Sequence, residues 1–275
     1  MRRDRHDGGV LARGATLVLA WMCFALSVSA HGASADALNW LSTQQNANGS
    51  FGGTAASLAT DVRSTAEVLR TYQESGQQSQ PSYAVALNYL NSDTATQTRF
   101  LARKILINAK AGNDVTVWVN ELLTRQNADG GFGDKAGYAS SALDTAFALE
   151  ALASANQATS QSASAAVGYL LYHQQASGGW VDGDNEPSVY LTASAFRALW
   201  PYRHHYLQVP AALDQAKYFL LSQRDASGSW GETFNTALAL TALIPYLPDL
   251  TTVTDSINAL SSAQLANGSW DNDFV

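Results

Sequence analysis

The 275-residue chain is short of cysteine, of positive charge and of strand-like alternation, and each shortage removes a class of function. Its single cysteine, Cys23, lies near the N-terminus, so the chain beyond it has no disulfide, no thiolate nucleophile and no thiolate metal ligand. Lys and Arg total 16 against 23 Asp and Glu, a net charge of -7. That balance excludes nucleic acid, whose binding relies on cations neutralising phosphates, and an anionic membrane surface. Nor is there a long hydrophobic run. The apolar stretch from Ala15 to Val28, about 14 residues, falls short of the ~20 that a spanning helix needs. It follows Arg2, Arg3, Arg5 and Arg13 and precedes the small residues Val28-Ser29-Ala30 and Ala33-Ser34-Ala35. This pattern predicts a secretory signal over residues 1–30, with cleavage as late as residue 35. The exported chain, periplasmic, extracellular or at the cell surface, then has no membrane span. Losing four Arg and two Asp takes its charge from -7 to -9.

What the chain does have is a repeat. Gln45-Gly49-Phe51, Gln126-Gly130-Phe132, Gln174-Gly178-Trp180 and Gln264-Gly268-Trp270 share one Gln-x-x-x-Gly-x-aromatic pattern, and Gly228-Trp230 is a slipped copy with Arg224 in the Gln position. Apolar residues at helical spacing flank each copy. Read in order they predict helical pairs at about 37–48 with 61–72, 82–90 with 99–107, 114–126 with 140–154, 162–175 with 188–200 and 211–223 with 233–246, then a single helix at 252–264. The second pair joins through Asn91-Ser92-Asp93-Thr94 in place of the glycine turn. Thr65-Ala66, Thr145-Ala146, Thr192-Ala193 and Thr236-Ala237 put the second helices in one phase. A repeat of this size implies units that bury their apolar faces only against neighbours. The expected architecture is all-α, an α/α toroid of up to six hairpins over residues 36–275. Its last hairpin is incomplete, which predicts either a further segment or domain beyond Val275 or another element that closes the ring.

Turn chemistry follows from helix ends. Glycine takes the left-handed conformation there, the Gln amide ties two helix ends together, and the aromatic buries a large apolar area. Asp61, Ser141, Ser188 and Glu232 suit caps or the positive end of the next helix.

These turns are similar to the QW motifs of the prenyltransferase and squalene-cyclase repeat family, and the resemblance covers about residues 36–270. It implies an α/α toroid and, in cyclases, an acid built from Asp-x-Asp-Asp followed by Thr-Ala. Here Ser141-Ala142-Leu143-Asp144-Thr145-Ala146 keeps only Asp144, and Asp61-Val62-Arg63-Ser64-Thr65-Ala66 keeps only Asp61, with Leu143 or Arg63 in the proton-donor place. The zinc ligands of protein prenyltransferases are absent as well. The resemblance therefore implies no cofactor, and it leaves Asp144 and Asp61 as the candidate acids, each also suited to capping its helix.

Five aromatics on second helices, Phe147, Tyr190, Phe196, Trp200 and Phe234, are candidates to line a central cavity, where their ring faces would stabilise a carbocation. Ordinary core packing is the competing reading. Asp182, Asp184 and Glu186 in a Gly-containing loop form a candidate calcium site, weighed against a solvated loop that caps a helix. Three functions remain open: a binding or interaction module for an apolar, isoprenoid-like molecule or a protein partner; an isoprenoid cyclase with a non-standard acid; and a structural repeat domain of a larger exported protein.

Overall fold

The computed structural model describes residues 28–52, 60–94, 96–181 and 186–270. Residues 1–27, which hold all of the predicted signal but its last three residues and all of its apolar run but Val28, lie outside them. In chain order the helices are α1 (Val28–Ser42), α2 (Asp61–Glu74), α3 (Pro81–Ser92), α4 (Thr98–Lys110), α5 (Thr116–Leu123), α6 (Ala142–Ser154), α7 (Gln161–His173), α8 (Val189–Leu199), α9 (Val209–Ser222), α10 (Thr233–Leu243) and α11 (Thr254–Ser262). Even-numbered helices pack side by side in sequence order as an inner row, and odd-numbered helices lie outside them. This is the α/α toroid that the repeat predicts, with five complete hairpins and α11. A minimal ladder, β1 (Phe132–Gly133) with β2 (Ser140–Ser141), and isolated bridges such as Gln126 to Phe132 are pairings that the sequence did not signal.

Burial explains which ring a helix joins. α6 buries Ala142 and every residue from Asp144 to Leu152, whereas α7 buries one face, Ala163, Ala166, Val167, Tyr169 and Leu170. Ala146, Ala148, Ala151, Ala193, Ala195 and Ala198 are all buried, so α6 and α8 meet through small side chains that let backbones approach. The caps fall near the expected residues. Ser141, Ser188 and Thr60 accept from the amides of Asp144, Leu191 and Arg63, while Asp61 occupies the first turn of α2 and Glu232 makes no side-chain cap.

The repeated turn works differently from the expected tie within one hairpin. Gln45 Nε2 donates to Gly49 O at 3.0 Å inside its own turn and to Ser82 O at 2.9 Å at the start of α3. Gln126 reaches Ser162 O in α7, and Gln174 reaches Ala212 O in α9, each at 2.9 Å. Each glutamine thus clasps its turn to the next outer helix. Arg224, the slipped copy, does the same by donating to Thr252 O. The intervening glycine permits the approach. At Gly178 φ is +90°, and a Cβ would lie 2.3 Å from Gln215 O.

Within the hairpin the aromatic and the threonine form the tie. The indole Nε1 of Trp180, Trp230 and Trp270 donates to Leu170 O, Leu220 O and Leu260 O at 2.6–2.8 Å. The backbone amides of Phe51, Phe132, Trp180 and Trp230 donate to the hydroxyls of Thr65, Thr145, Thr192 and Thr236 at 2.8–3.2 Å. That bond accounts for the constant threonine phase. In the second hairpin, which lacks the turn, the buried Lys104 ammonium donates to Asn91 O and Asp93 O, both at 2.8 Å.

Gly268 makes the corresponding approach to the start of the chain, where a Cβ would lie 2.3 Å from Asp36 O in α1. The outer ring therefore meets itself. Among the described residues no helix is long and apolar enough to cross a membrane.

Candidate functional site

The inner faces of α2, α4, α6 and α8 carry charge where an apolar cavity would need hydrocarbon. On α2, Arg63, Glu67, Arg70 and Glu74 recur at helical spacing along one face, and on α4 Arg99, Arg103 and Lys110 do the same. Glu150 of α6 receives Arg197 of α8 through a fork at 2.9 and 3.2 Å, and Arg70 approaches its second oxygen at 3.5 Å. Arg70 also pairs with Glu74 at 3.0 Å, and Lys110 reaches the same carboxylate at 3.4 Å. Arg103 donates to Glu67 at 3.1 Å and lies over Phe147, its guanidinium carbon 4.0 Å from the ring centroid. Three carboxylates and four cations thus link four inner helices.

Only paired charges are tolerated at this depth, because an isolated buried ion costs several kcal/mol. Burial pushes the Glu150 carboxyl up, but Arg197 and Arg70 outweigh it and hold the group below the usual carboxylate range. Burial likewise opposes ionisation of Glu67, yet Arg103, Arg70 and Arg197 bring it down to about 2. Glu67 keeps 47% of its side-chain surface exposed, so water still reaches that end of the network. Arg70 is raised: burial acts against its charge, and Glu150, Glu74 and Glu67 overcome it. The space left is small. One cavity of about 10 Å³, enough for a single water, is bounded by Glu67, Arg70, Arg103, Leu106, Phe147 and Glu150. A second of the same size lies between Phe147, Glu150, Ser194 and Arg197.

The candidate acids sit at helix starts. Asp144 is buried in the first turn of α6, accepts from Ser141 Oγ at 2.6 Å, and is paired with Arg99 Nε at 3.1 Å. Asp61 opens α2 and accepts from Ser50 Oγ at 3.2 Å. The two occupy different places in their hairpins, Asp61 four residues before Thr65 and Asp144 one residue before Thr145, and the described contacts do not bring them together.

Of the five aromatics, Phe147 borders both small cavities. Tyr190 and Phe234 stack at 5.9 Å near the starts of α8 and α10, with Arg63 of α2 5.7 Å from the Phe234 centroid. Phe196 and Trp200 depart from the expectation of a cavity wall. Phe196 is fully buried against Tyr246, and Trp200 lies past the end of α8 between Tyr246 and Arg203, because helical phase and the 3-10 turn at Trp200–Tyr202 aim both into packing between helices. Asp182 and Asp184 lie outside the described residues, and Glu186 is exposed. Among the described residues no group of three or more His, Cys, Asp or Glu is placed to hold a metal.

Composition and turn motifs did not flag the charge network. A signal was present: Arg63, Glu67, Arg70 and Glu74 share one helix face, and so do Arg99, Arg103 and Lys110. Such a stripe reads as a solvated face until the hairpin order turns it inward.

A family model for the prenyltransferase alpha-alpha toroid domain matches residues 12–185 and 67–237. No curated protein matches the sequence. Among solved structures the chain is similar to a protein from Actinoplanes at 17% identity, TM-score 0.68, covering 88% of this chain and 83% of that one. It is similar to the type II terpene cyclase MstE from Scytonema at 17% identity, TM-score 0.69, covering 88% and 81%. A third likeness is to ent-copalyl diphosphate synthase from Streptomyces platensis, at 22% identity, TM-score 0.58, covering 72% of this chain and 43% of that one. At these identities the likeness is one of fold. A variant of the Scytonema cyclase was solved with geranylgeranyl dihydroxybenzoate, its substrate.

Proposed function

Given that this chain belongs to the prenyltransferase alpha-alpha toroid domain family, we propose that it is an exported interaction module that keeps the toroid without the cyclisation reaction. The observation that carries this reading is the Glu67–Arg103, Arg70–Glu150–Arg197 network in the centre of the inner row. A drug-sized apolar ligand occupies roughly 300–1,000 Å³ of mostly hydrophobic pocket, and the space beside these charges is about 10 Å³. Inserting a hydrocarbon would strip the ion pairs of their partners, at several kcal/mol for each exposed charge. The acid is missing too. Leu143 and Arg63 stand in the proton-donor places, and the one buried candidate, Asp144, is engaged by Arg99 and Ser141 at the start of its helix.

The reading therefore places binding on the outside of the ring, with a protein partner favoured over an isoprenoid. Val117, Tyr172, Leu207 and Tyr218 are large apolar side chains exposed on that outer surface. Incubating the exported protein with squalene and with geranylgeranyl diphosphate, followed by mass spectrometry of the extracts, tests it. No cyclised product is expected; a product that disappears in Asp144→Asn would overturn the reading in favour of a cyclase with a non-standard acid.

A further inference from the structure

The four clasps that precede the last one obey a fixed offset. Gln45 donates to Ser82 O while Gly49 lies against Val85; Gln126 to Ser162 O with Gly130 against Ala165; Gln174 to Ala212 O with Gly178 against Gln215; Arg224 to Thr252 O with Gly228 against Asp255. In every case the glycine meets the outer helix three residues beyond the carbonyl that the amide or guanidinium takes. The rule is geometric, since the side chain and the glycine sit on opposite ends of one turn and span about one turn of the facing helix.

Gly268 lies against Asp36, and Gln264 donates to Gly268 O at 2.8 Å as its counterparts do. We infer that the fifth clasp runs from Gln264 to the carbonyl of Ala33 in α1, so that the last turn closes the outer ring on the first helix and signal processing takes place before Ala33. Cleavage after Ala30 leaves that carbonyl in the mature chain. Cleavage after Ala35 removes it, along with the turn of α1 on which Gln264 acts, and leaves Asp36 as a charged chain end against Gly268. The small-residue site at Val28-Ser29-Ala30 is therefore the processing site. The closure is independent of the proposed function; the processing step rests on the export reading.

Two measurements test the parts separately. Hydrogen exchange of the full chain, followed by mass spectrometry, compares Gln264→Met with Gln126→Met; methionine keeps the side-chain length and removes the amide. Exchange in residues 36–42 is expected to rise about tenfold in Gln264→Met and to stay unchanged in Gln126→Met. Equal protection of this segment in the two variants would overturn the closure. Intact mass and N-terminal sequencing of protein recovered from a secreting host are expected to give His31 as the first residue. A first residue of Ser34 or later overturns the processing site; a chain that keeps Met1 overturns it together with the export reading, and the exchange result then decides the closure alone.

Discussion

Glu150 is the residue on which the centre of the molecule turns, since it receives Arg197 through two oxygens and Arg70 through one. Glu150→Gln leaves both guanidiniums with a neutral partner. It is expected to lower stability by about 3–5 kcal/mol in urea melts, while replacing Glu150, Arg70 and Arg197 together by Met costs much less. The same charges give the pH response. Both Glu67 and Glu150 are held below the ordinary carboxylate value, Glu67 at about 2. Their folded values are depressed, so their contribution is fully present above roughly pH 4–5 and is lost as pH falls toward 2. Thermal midpoints are expected to be flat from pH 7 to 5 and to drop below pH 4, and the Glu150→Gln chain is expected to show a shallower drop. Asp144 and Asp61 were legible as helix-start carboxylates from their place before Thr-Ala. The Arg99 partner of Asp144 was not, because it comes from another helix 45 positions earlier.

Two ties hold a hairpin together, from the aromatic and the threonine, and a third, the clasp, joins it to the next outer helix; they fail differently. Trp180 is fully buried and donates from its indole to Leu170 O, so Trp180→Ala removes both apolar area and a hydrogen bond. Its expected cost is ~3–5 kcal/mol by chemical denaturation. Gly178→Ala adds a Cβ 2.3 Å from Gln215 O at a φ of +90°, and its cost is expected to equal or exceed that of Gln174→Ala. The hairpin without the turn uses Lys104 instead, so Lys104→Met is expected to cost about 1–3 kcal/mol, with hydrogen exchange rising first at the end of α3. Repeated Gln, Gly and aromatic residues made the turns readable from the sequence. That the glutamine reaches the next hairpin was not readable, because its acceptors are backbone carbonyls, which any residue supplies.

At the scale of the whole molecule the helices form a ring whose last turn rests on its first helix, with Gly268 against Asp36. With the last turn braced on the first helix, fluorescence and circular dichroism are expected to report one coincident unfolding transition, where an open stack would show separated ones. Gly268→Ala is expected to lower its midpoint by as much as Gly178→Ala does; a much smaller effect would mean that the last turn is an end cap. The succession and phase of the helices among the described residues, and where the turns fall, were determined by the sequence alone, because helical periodicity, glycine and repeated side chains act over a few residues. What fills the centre was decided only by the tertiary structure. Charges on α2, α4, α6 and α8 are up to 130 positions apart and become a network only when the hairpin order brings one face of each helix inward, which no local pattern can express.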